Sequence, residues 1–454
     1  MRAVLAGAAS AIAEVLATPN ALTAFDLRGA ALIGAGHAAL PIVARADSLA
    51  TLDLSGLDIR TLVLATPPRD RAEARAILSR AADAQMKVWV LDAGGVRRLR
   101  LDDLLGRPLG AVDWADIRSI IEGKRILITG GGGSIGSELA KRISSLCPSR
   151  LTLLDCSEHN LYRIGLEHRD ATLALADIRD ATAMRRWFMA EKPDLVFHTA
   201  AMKQVPMVEA FPSEGAMTNV SGLRNVAIAA HGAGAELIFV STDKAAEPSG
   251  VMGASKRLGE LYCHALDRRG PRRAIPVRLG NVLGSAGSVS PLFEAQLAGG
   301  GPLTVTDADV TRYFLTIPQA ADSLLHAAAV GLSAKQRGAT LVIEMGEALP
   351  VVELARAVIR LEGKRPDADV PIVFTGLRPG EKLHERLIAS DEVSDHSLCS
   401  GVTAATSEPL GLSELDETME RITLMARQGA DAAVAEALFA AVASPLITER
   451  AIAV

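Results

Sequence analysis

A short β-branched run, Arg125-Ile126-Leu127-Ile128-Thr129, passes without a break into Gly130-Gly131-Gly132-Gly133-Ser134-Ile135-Gly136, and the helix-prone stretch Ser137 to Leu146 follows at once. Gly130, Gly133 and Gly136 give the Gly-x-x-Gly-x-x-Gly spacing of a nucleotide-binding turn: a tight bend, room for a pyrophosphate, and close packing of the helix. The backbone N–H groups that open this helix, at Ser134 and Ile135, are placed to hold phosphates. The next apolar run, Leu151 to Leu154, ends at Asp155, about 20 residues beyond the glycines, where a carboxylate accepts the ribose hydroxyls of an adenosine. An acid there favours NAD over NADP, because a 2′-phosphate would meet like charge unless an arginine such as Arg163 compensated. Asp177 and Ile178 follow another short strand and are placed to contact the adenine ring, with a helix N-cap as the other reading of Asp177. A fourth strand, Leu195 to His198, leads into Thr199-Ala200-Ala201, small residues that let the backbone pass close to a cofactor. Turn, acid and close crossing in this order predict NAD binding.

A weaker glycine signal stands nearer the start, where Gly29 to Ile33 runs into Gly34-Ala35-Gly36-His37-Ala38-Ala39, read as a strand, a GxGxxA turn and a helix. Strand candidates at Thr61 to Ala65 and Lys87 to Leu91, with helix-prone Asp70 to Ala84 between them, complete a βαβ alternation. Residues 1–115 therefore read as an N-terminal Rossmann-like domain. No acid follows its second strand at ribose-binding distance, so a structural or regulatory role is expected. Leu101 to Gly123 reads as the connector and 120–454 as the catalytic domain, helical beyond about 405, from Ser413 to Ala443.

With 454 residues the chain is long enough for two domains, and a formal net charge of -5 supplies no basic field for nucleic acid. Cys147, Cys156, Cys263 and Cys399 lack CxxC or Cys/His ligand spacing, so no metal site or disulfide framework is expected and a reducing cytoplasm fits. The alanine-rich opening, Met1 to Leu22, is interrupted by Arg2, Glu14, Pro19 and Asn20 short of the roughly 20 apolar residues of a span, and it reads as an amphipathic or frayed N-terminal helix.

Six further stretches carry a resemblance: Thr199-Ala200-Ala201-Met202-Lys203-Gln204-Val205-Pro206-Met207-Val208-Glu209, Ser241-Thr242-Asp243-Lys244-Ala245, Val251-Met252-Gly253-Ala254-Ser255-Lys256-Arg257, Arg278 to Ser285, Thr311-Arg312-Tyr313-Phe314, and Leu377-Arg378-Pro379-Gly380-Glu381-Lys382. From Gly130 to about residue 390 the chain resembles the extended short-chain dehydrogenase/reductases, and within them the bacterial polysaccharide-biosynthesis nucleotide-sugar dehydratases acting on UDP-N-acetylglucosamine. The implied fold is α/β: two Rossmann-like domains, the second a doubly wound parallel sheet with a smaller substrate lobe. Long members of the family carry a membrane-spanning N-terminus, which this chain is expected to lack, and a homo-oligomer is expected by analogy.

The apolar strand Ala235 to Val240 places Ser241-Thr242-Asp243-Lys244 just past its carboxyl end, where ligands sit in open α/β sheets. A threonine, an acid and an amine there form a plausible acid/base set, the other reading being a capped turn with a solvated ion pair. The resemblance implies that Lys244, desolvated, removes the C5 proton of a 4-keto sugar, and that Asp243, kept protonated, donates to the departing C6 hydroxyl. The tyrosine that usually stands four residues before the helix lysine, here Lys256, is replaced by Met252. Tyr262, six residues on, faces another way. In the resembling subgroup a methionine here is ordinary and Thr242 shares deprotonation with an ordered water; the other reading is an inactive enzyme. Lys256 is expected on the nicotinamide ribose. Met202 and Lys203 are expected near the sugar, Asn281 on the diphosphate, and Arg312, Arg378 and Glu381 as a uridine-diphosphate clamp, with Gly299 to Thr306 beside the uridine. A UDP-sugar epimerase and a non-catalytic NAD-binding regulator are the alternatives.

Overall fold

The computed structural model describes residues 1–18, 22–92, 95–104 and 112–443. The chain divides into two compact units, one of Met1–Pro108, Ser288–Val310 and Leu349–Gly376, the other of Leu109–Gly287, Thr311–Ala348 and Leu377–Val454. Two segments that the sequence reading assigned to the C-terminal half thus group with the first unit. Their apolar faces explain it: helix Val351–Leu361 buries Val352, Leu354, Ala355, Val358 and Ile359, packing on helix Arg71–Asp83 and on helix Val289–Ala298. Glu362, just beyond it, pairs with Lys87 at 2.7 Å and Arg98 at 2.8 Å.

The first unit holds a six-stranded sheet of β1 (Arg2–Gly7), β2 (Asp26–Ile33), β3 (Ile42–Ala46), β4 (Thr61–Leu64), β5 (Lys87–Asp92) and β6 (Gly95–Arg98), in the order β3-β2-β1-β4-β5-β6. All pairs are parallel except β5–β6. This is the expected Rossmann-like arrangement, with two corrections. The opening residues form the central strand β1, not a helix, because Ala3 to Ala6 are buried between β2 and β4; helix begins only at α1 (Ala9–Ala17). Gly34-Ala35-Gly36 leads by a loop to β3 with no helix after it, so the turn at the end of the central strand is Gly7-Ala8-Ala9. Helix α2 (Arg71–Asp83) starts where expected, since the Asp70 carboxylate accepts the Glu73 N–H at 2.8 Å.

The expected connector is partly helical. Leu101–Leu104 forms a short turn, and α3 (Trp114–Ile121) is capped by Asp113, whose side chain accepts from Ala115 N–H at 2.8 Å. Pro108 lies outside the described residues. Ile117 and Ile121 of α3 join the core of the second unit.

That unit is built on a nine-stranded sheet. Its strands β7 (Arg125–Thr129), β8 (Arg150–Asp155), β9 (Thr172–Leu175), β10 (Leu195–His198), β11 (Glu236–Thr242) and β12 (Ala274–Leu279) are parallel, in the order β12-β11-β10-β7-β8-β9. Near-continuous apolar runs make these strands, as burial on both faces requires for all but the edge strand β9. The direction of winding reverses between β7 and β10, the switch point where ligands bind in such sheets. Beyond β12 the sheet continues through Thr340–Ile343 to an antiparallel hairpin, Val402–Thr406 and Val393–Cys399, which the sequence reading did not foresee. Helices Leu412–Arg427 and Asp431–Val442 pack on the long helix Val251–Arg269, so the C-terminal segment covers the core. Among the described residues no helix is long and apolar enough to cross a membrane.

Candidate active site

The switch point is occupied by the glycine turn. Gly130 has φ +68°, and a Cβ there would lie 2.8 Å from the Ala200 nitrogen, so only glycine lets the turn after β7 pass under the segment after β10. A Cβ on Gly136 would sit on the Gly130 carbonyl, which fixes helix α4 (Ser134–Ser144) tightly on the turn. Gly133, its N-cap, offers no side-chain cap, leaving the first N–H groups of α4 for an anion. Asp155 ends β8 as expected and is drawn into the turn: its carboxylate accepts from Gly132 N–H at 3.0 Å and from Ser157 N–H at 2.9 Å. Loop and acid are thus preformed as one surface. Asp177 does not cap a helix; it accepts from Arg179 N–H at 2.9 Å and pairs with its guanidinium, and Asp180 is the cap. Ile178 is buried in the core, against Gly222. Ser134 accepts from Ala286 N–H at 3.1 Å.

At the other side of the switch, β11 runs through Thr242 and turns at Asp243-Lys244-Ala245. Asp243 is fully buried; its Oδ1 accepts from Thr242 Oγ1 at 2.8 Å and Lys244 Nζ at 3.0 Å, while Oδ2 has no hydrogen-bond partner. Lys244 Nζ also donates to Asn281 Oδ1 at 2.9 Å. The three expected groups therefore form one cluster, with the lysine as one member of an ion pair rather than an isolated amine. The solvated-pair alternative does not describe an acid with no exposure.

Lys256 is buried on the long helix, not on the surface. Its Nζ donates to the Val240 carbonyl at 3.0 Å and lies 4.6 Å from the Phe239 ring centroid. Burial pushes its amine down to about 8, with Glu260 and Cys263 opposing. In its expected place on the nicotinamide ribose, Lys256 would hold a hydroxyl more strongly in its charged form, which is lost as pH rises. Dinucleotide affinity in calorimetry is therefore expected to weaken up to about tenfold between pH 7 and pH 9, with Lys256→Met flat over that range. Met252 lies buried in the core. Tyr262 is also in the core, where its hydroxyl approaches Asp416 at 3.3 Å and burial raises it further from titration; it does not stand in for Met252.

The expected substrate residues divide. Lys203 is exposed as a whole, though desolvation around its amine lowers its pKa, and it donates to Ser285 Oγ at 3.1 Å. The main chain of Met202 is held on both sides by Asn219, through Oδ1 and Nδ2 at 2.9 Å each, and Asn219 also reaches Ser255 at 3.0 Å. Asn219 lies on a π-helical turn, Met217–Gly222, and no motif marked it. Asn281 is committed on both counts: its side chain to Lys244, and its N–H to the Tyr313 carbonyl at 2.9 Å. Arg312 is largely buried and spends its guanidinium on the carbonyls of Thr311, Lys382 and Leu383 at 2.7, 2.7 and 3.0 Å, fixing the 382–385 segment. Arg378 is half exposed beside Glu381, at 3.8 Å. Gly299 to Thr306, expected beside the uridine, belongs to the first compact unit. Among the described residues no group of acids, histidines and cysteines could hold a metal ion.

A parallel sheet with a glycine-rich turn at its switch point and an acid/base cluster at the next strand end defines an extended short-chain dehydrogenase/reductase. Residues 126–406 match the family model described as "Polysaccharide biosynthesis protein", and the chain belongs to that family. It is 40% identical over 312 residues to the capsular polysaccharide biosynthesis protein CapD of Staphylococcus aureus, covering 67% of this chain and 51% of that one. The chain thus spans about half the length of the curated relatives it matches. Among solved structures, Pen from Bacillus thuringiensis is 30% identical with a TM-score of 0.57, covering 64% of this chain and 88% of that one. A double mutant of DesIV from Streptomyces venezuelae, a dTDP-glucose 4,6-dehydratase with NAD and DAU bound, is 25% identical with a TM-score of 0.51, covering 58% of this chain and 88% of that one.

Proposed function

We propose that the chain uses NAD to carry out 4,6-dehydration of a UDP-sugar, with UDP-N-acetylglucosamine as the substrate, in the supply of a 4-keto-6-deoxy sugar for surface polysaccharide in the cytoplasm. The observation that carries this reading is the buried Thr242–Asp243–Lys244 cluster at the end of β11, with the Asp243 Oδ2 oxygen unpaired. The close crossing of the turn at Gly130 by Ala200 and the Asp155 carboxylate bonded to that turn support the dinucleotide part of this reading. Bound NAD supplies reversible hydride transfer, from C4 and back to C6 of the sugar, so it acts as a catalyst.

The residues supply the proton traffic. Thr242 shares the removal of the C4 hydroxyl proton with an ordered water that relays it to solvent, filling the place that Met252 cannot. The 4-ketone acidifies C5, and Lys244 removes that proton after handing its own toward Asp243. Asp243 then donates to the departing C6 hydroxyl, which leaves as water, and Lys244 returns a solvent-exchanged proton to C5 as C6 takes the hydride. Lys256 orients the nicotinamide ribose. Lys203 reads the sugar, and Arg378 with Glu381 takes the uridine diphosphate.

The test is incubation with NAD and UDP-N-acetylglucosamine in D₂O, followed by proton NMR. A new C6 methyl signal with deuterium at C5 is expected. A C4 epimer with its C5 proton retained would identify an epimerase instead, and an unchanged sugar would remove the dehydratase reading for this substrate.

A further inference from the structure

Lys244 has a second acidic neighbour that the motif reading passed over. Glu385 lies with a side chain 2% exposed, and its Oε1 is 3.8 Å from Lys244 Nζ and 3.8 Å from Arg312 Nε. Its Oε2 is 3.4 Å from Lys382 Nζ, yet makes no hydrogen bond. One buried carboxylate therefore faces three cations. Each cation is also tied to main chain or to a neutral group: Arg312 to the carbonyls of Thr311, Lys382 and Leu383, Lys382 to the Ala246 carbonyl at 3.0 Å, and Lys244 to Asn281. Arg312 thus anchors the segment that carries Glu385, and Lys382 ties the same segment to the turn that carries Lys244. A buried carboxylate with an unfilled lone pair carries a desolvation cost that a purely structural role does not require.

We infer that Glu385 is a positioning residue for Lys244: its buried carboxylate, anchored through Arg312 and Lys382, holds the Lys244 amine at the end of β11 between Asp243 and Asn281. The inference rests on the dehydratase reading for its catalytic meaning, in which Lys244 works on C5. The pairing itself does not. The charged groups that face Lys244 are Asp243 on its own turn, Glu385, and, beyond Glu385, Arg312 and Lys382.

The experiment is competitive labelling of the full chain with trace acetic anhydride at pH 8, without substrate, reading Lys244 against the exposed Lys335 by peptide mass spectrometry. Glu385→Gln keeps the size of the side chain and removes its charge. Acetylation of Lys244 relative to Lys335 is expected to rise about tenfold, the effect of losing one close opposite charge. Glu385→Asp should stay near wild type. Lys382→Met removes a cation instead and should lower Lys244 labelling about two- to threefold. Labelling of Lys244 in a folded Glu385→Gln within about twofold of wild type would overturn the inference. If that variant shows no cooperative melt, an unchanged Lys382→Met profile overturns it in the same way. Altered labelling together with no dehydration in the D₂O assay would remove the reaction and keep the pairing, so the two failures are distinct.

Discussion

Lys244→Arg is expected to lower single-turnover C5 exchange, followed by NMR in D₂O, by about a thousandfold while NAD affinity and melting temperature stay near wild type. The magnitude is that of a positioned general base, about 10²–10⁴. Arginine isolates the proton-transfer role because it keeps the positive charge that Asp243 faces at 3.0 Å and can still donate to Asn281, but a guanidinium does not give up its proton. Truncation to alanine would confuse the result, since Asp243 is fully buried and would lose its cationic partner. Exchange above about a tenth of the wild-type rate would show that Lys244 is not the base.

The largest expected effect on stability lies beneath the site. Arg278 is fully buried and gives Nη2 to Glu260 at 2.6 Å, Nη1 to Glu392 at 2.9 Å and to the Leu387 carbonyl at 2.6 Å. Arg257 pairs with the same Glu260 and Glu392, and Ser241 donates to Glu260 at 2.7 Å. Helix, strand β12 and the 387–392 segment are thus joined through four buried charges. Glu392→Gln leaves two guanidinium groups short of one anion, and about 3–5 kcal/mol of stability is expected to go with it, a fall in melting temperature on the order of 10 °C. Burial alone would raise the Glu392 carboxyl, but hydrogen bonding to Arg278 and the charges of Arg278 and Arg257 bring it down to about 2. Its folded value is therefore below the ordinary glutamate value, so its contribution is complete above about pH 4.5 and is lost as pH falls toward 2. Thermal melts should show the gap between wild type and variant wide at pH 7 and narrowed near pH 3. An equal gap at both would refute the ionic account.

What the sequence disclosed about the site is what sequence neighbours decide. Gly130 to Gly136 make their own turn, Asp155 follows them by one strand, and the Asp243–Lys244 contact is between adjacent residues; each was legible. Asn219, Glu385 and the distant partners of Arg312 and Asn281 were not, because the contacts that give them their place join residues 17 to 141 positions apart and leave no local periodicity. Near the start, Ala3 to Ala6 suit a buried strand as well as a helix, and only the flanking strands β2 and β4 decide between them. The residues that touch substrate in the proposal were recognised as motifs; the residues that hold them in place were not.

The hairpin beyond Thr340–Ile343 bears on self-association. A parallel sheet that simply stopped would offer a row of unpaired backbone groups to any passing strand. Here the outer strand, Val393–Cys399, turns irregular between Asp395 and Cys399, and the Asp395 carboxylate accepts the Ser397 N–H at 2.8 Å. Polar Ser394, Asp395, His396 and Ser397 line the rim. The opposite rim, β9, is only four residues long. One border is thus irregular and polar in its middle and the other short, so each offers only a brief run of backbone to a pairing strand, and the sheet can be wide and apolar inside.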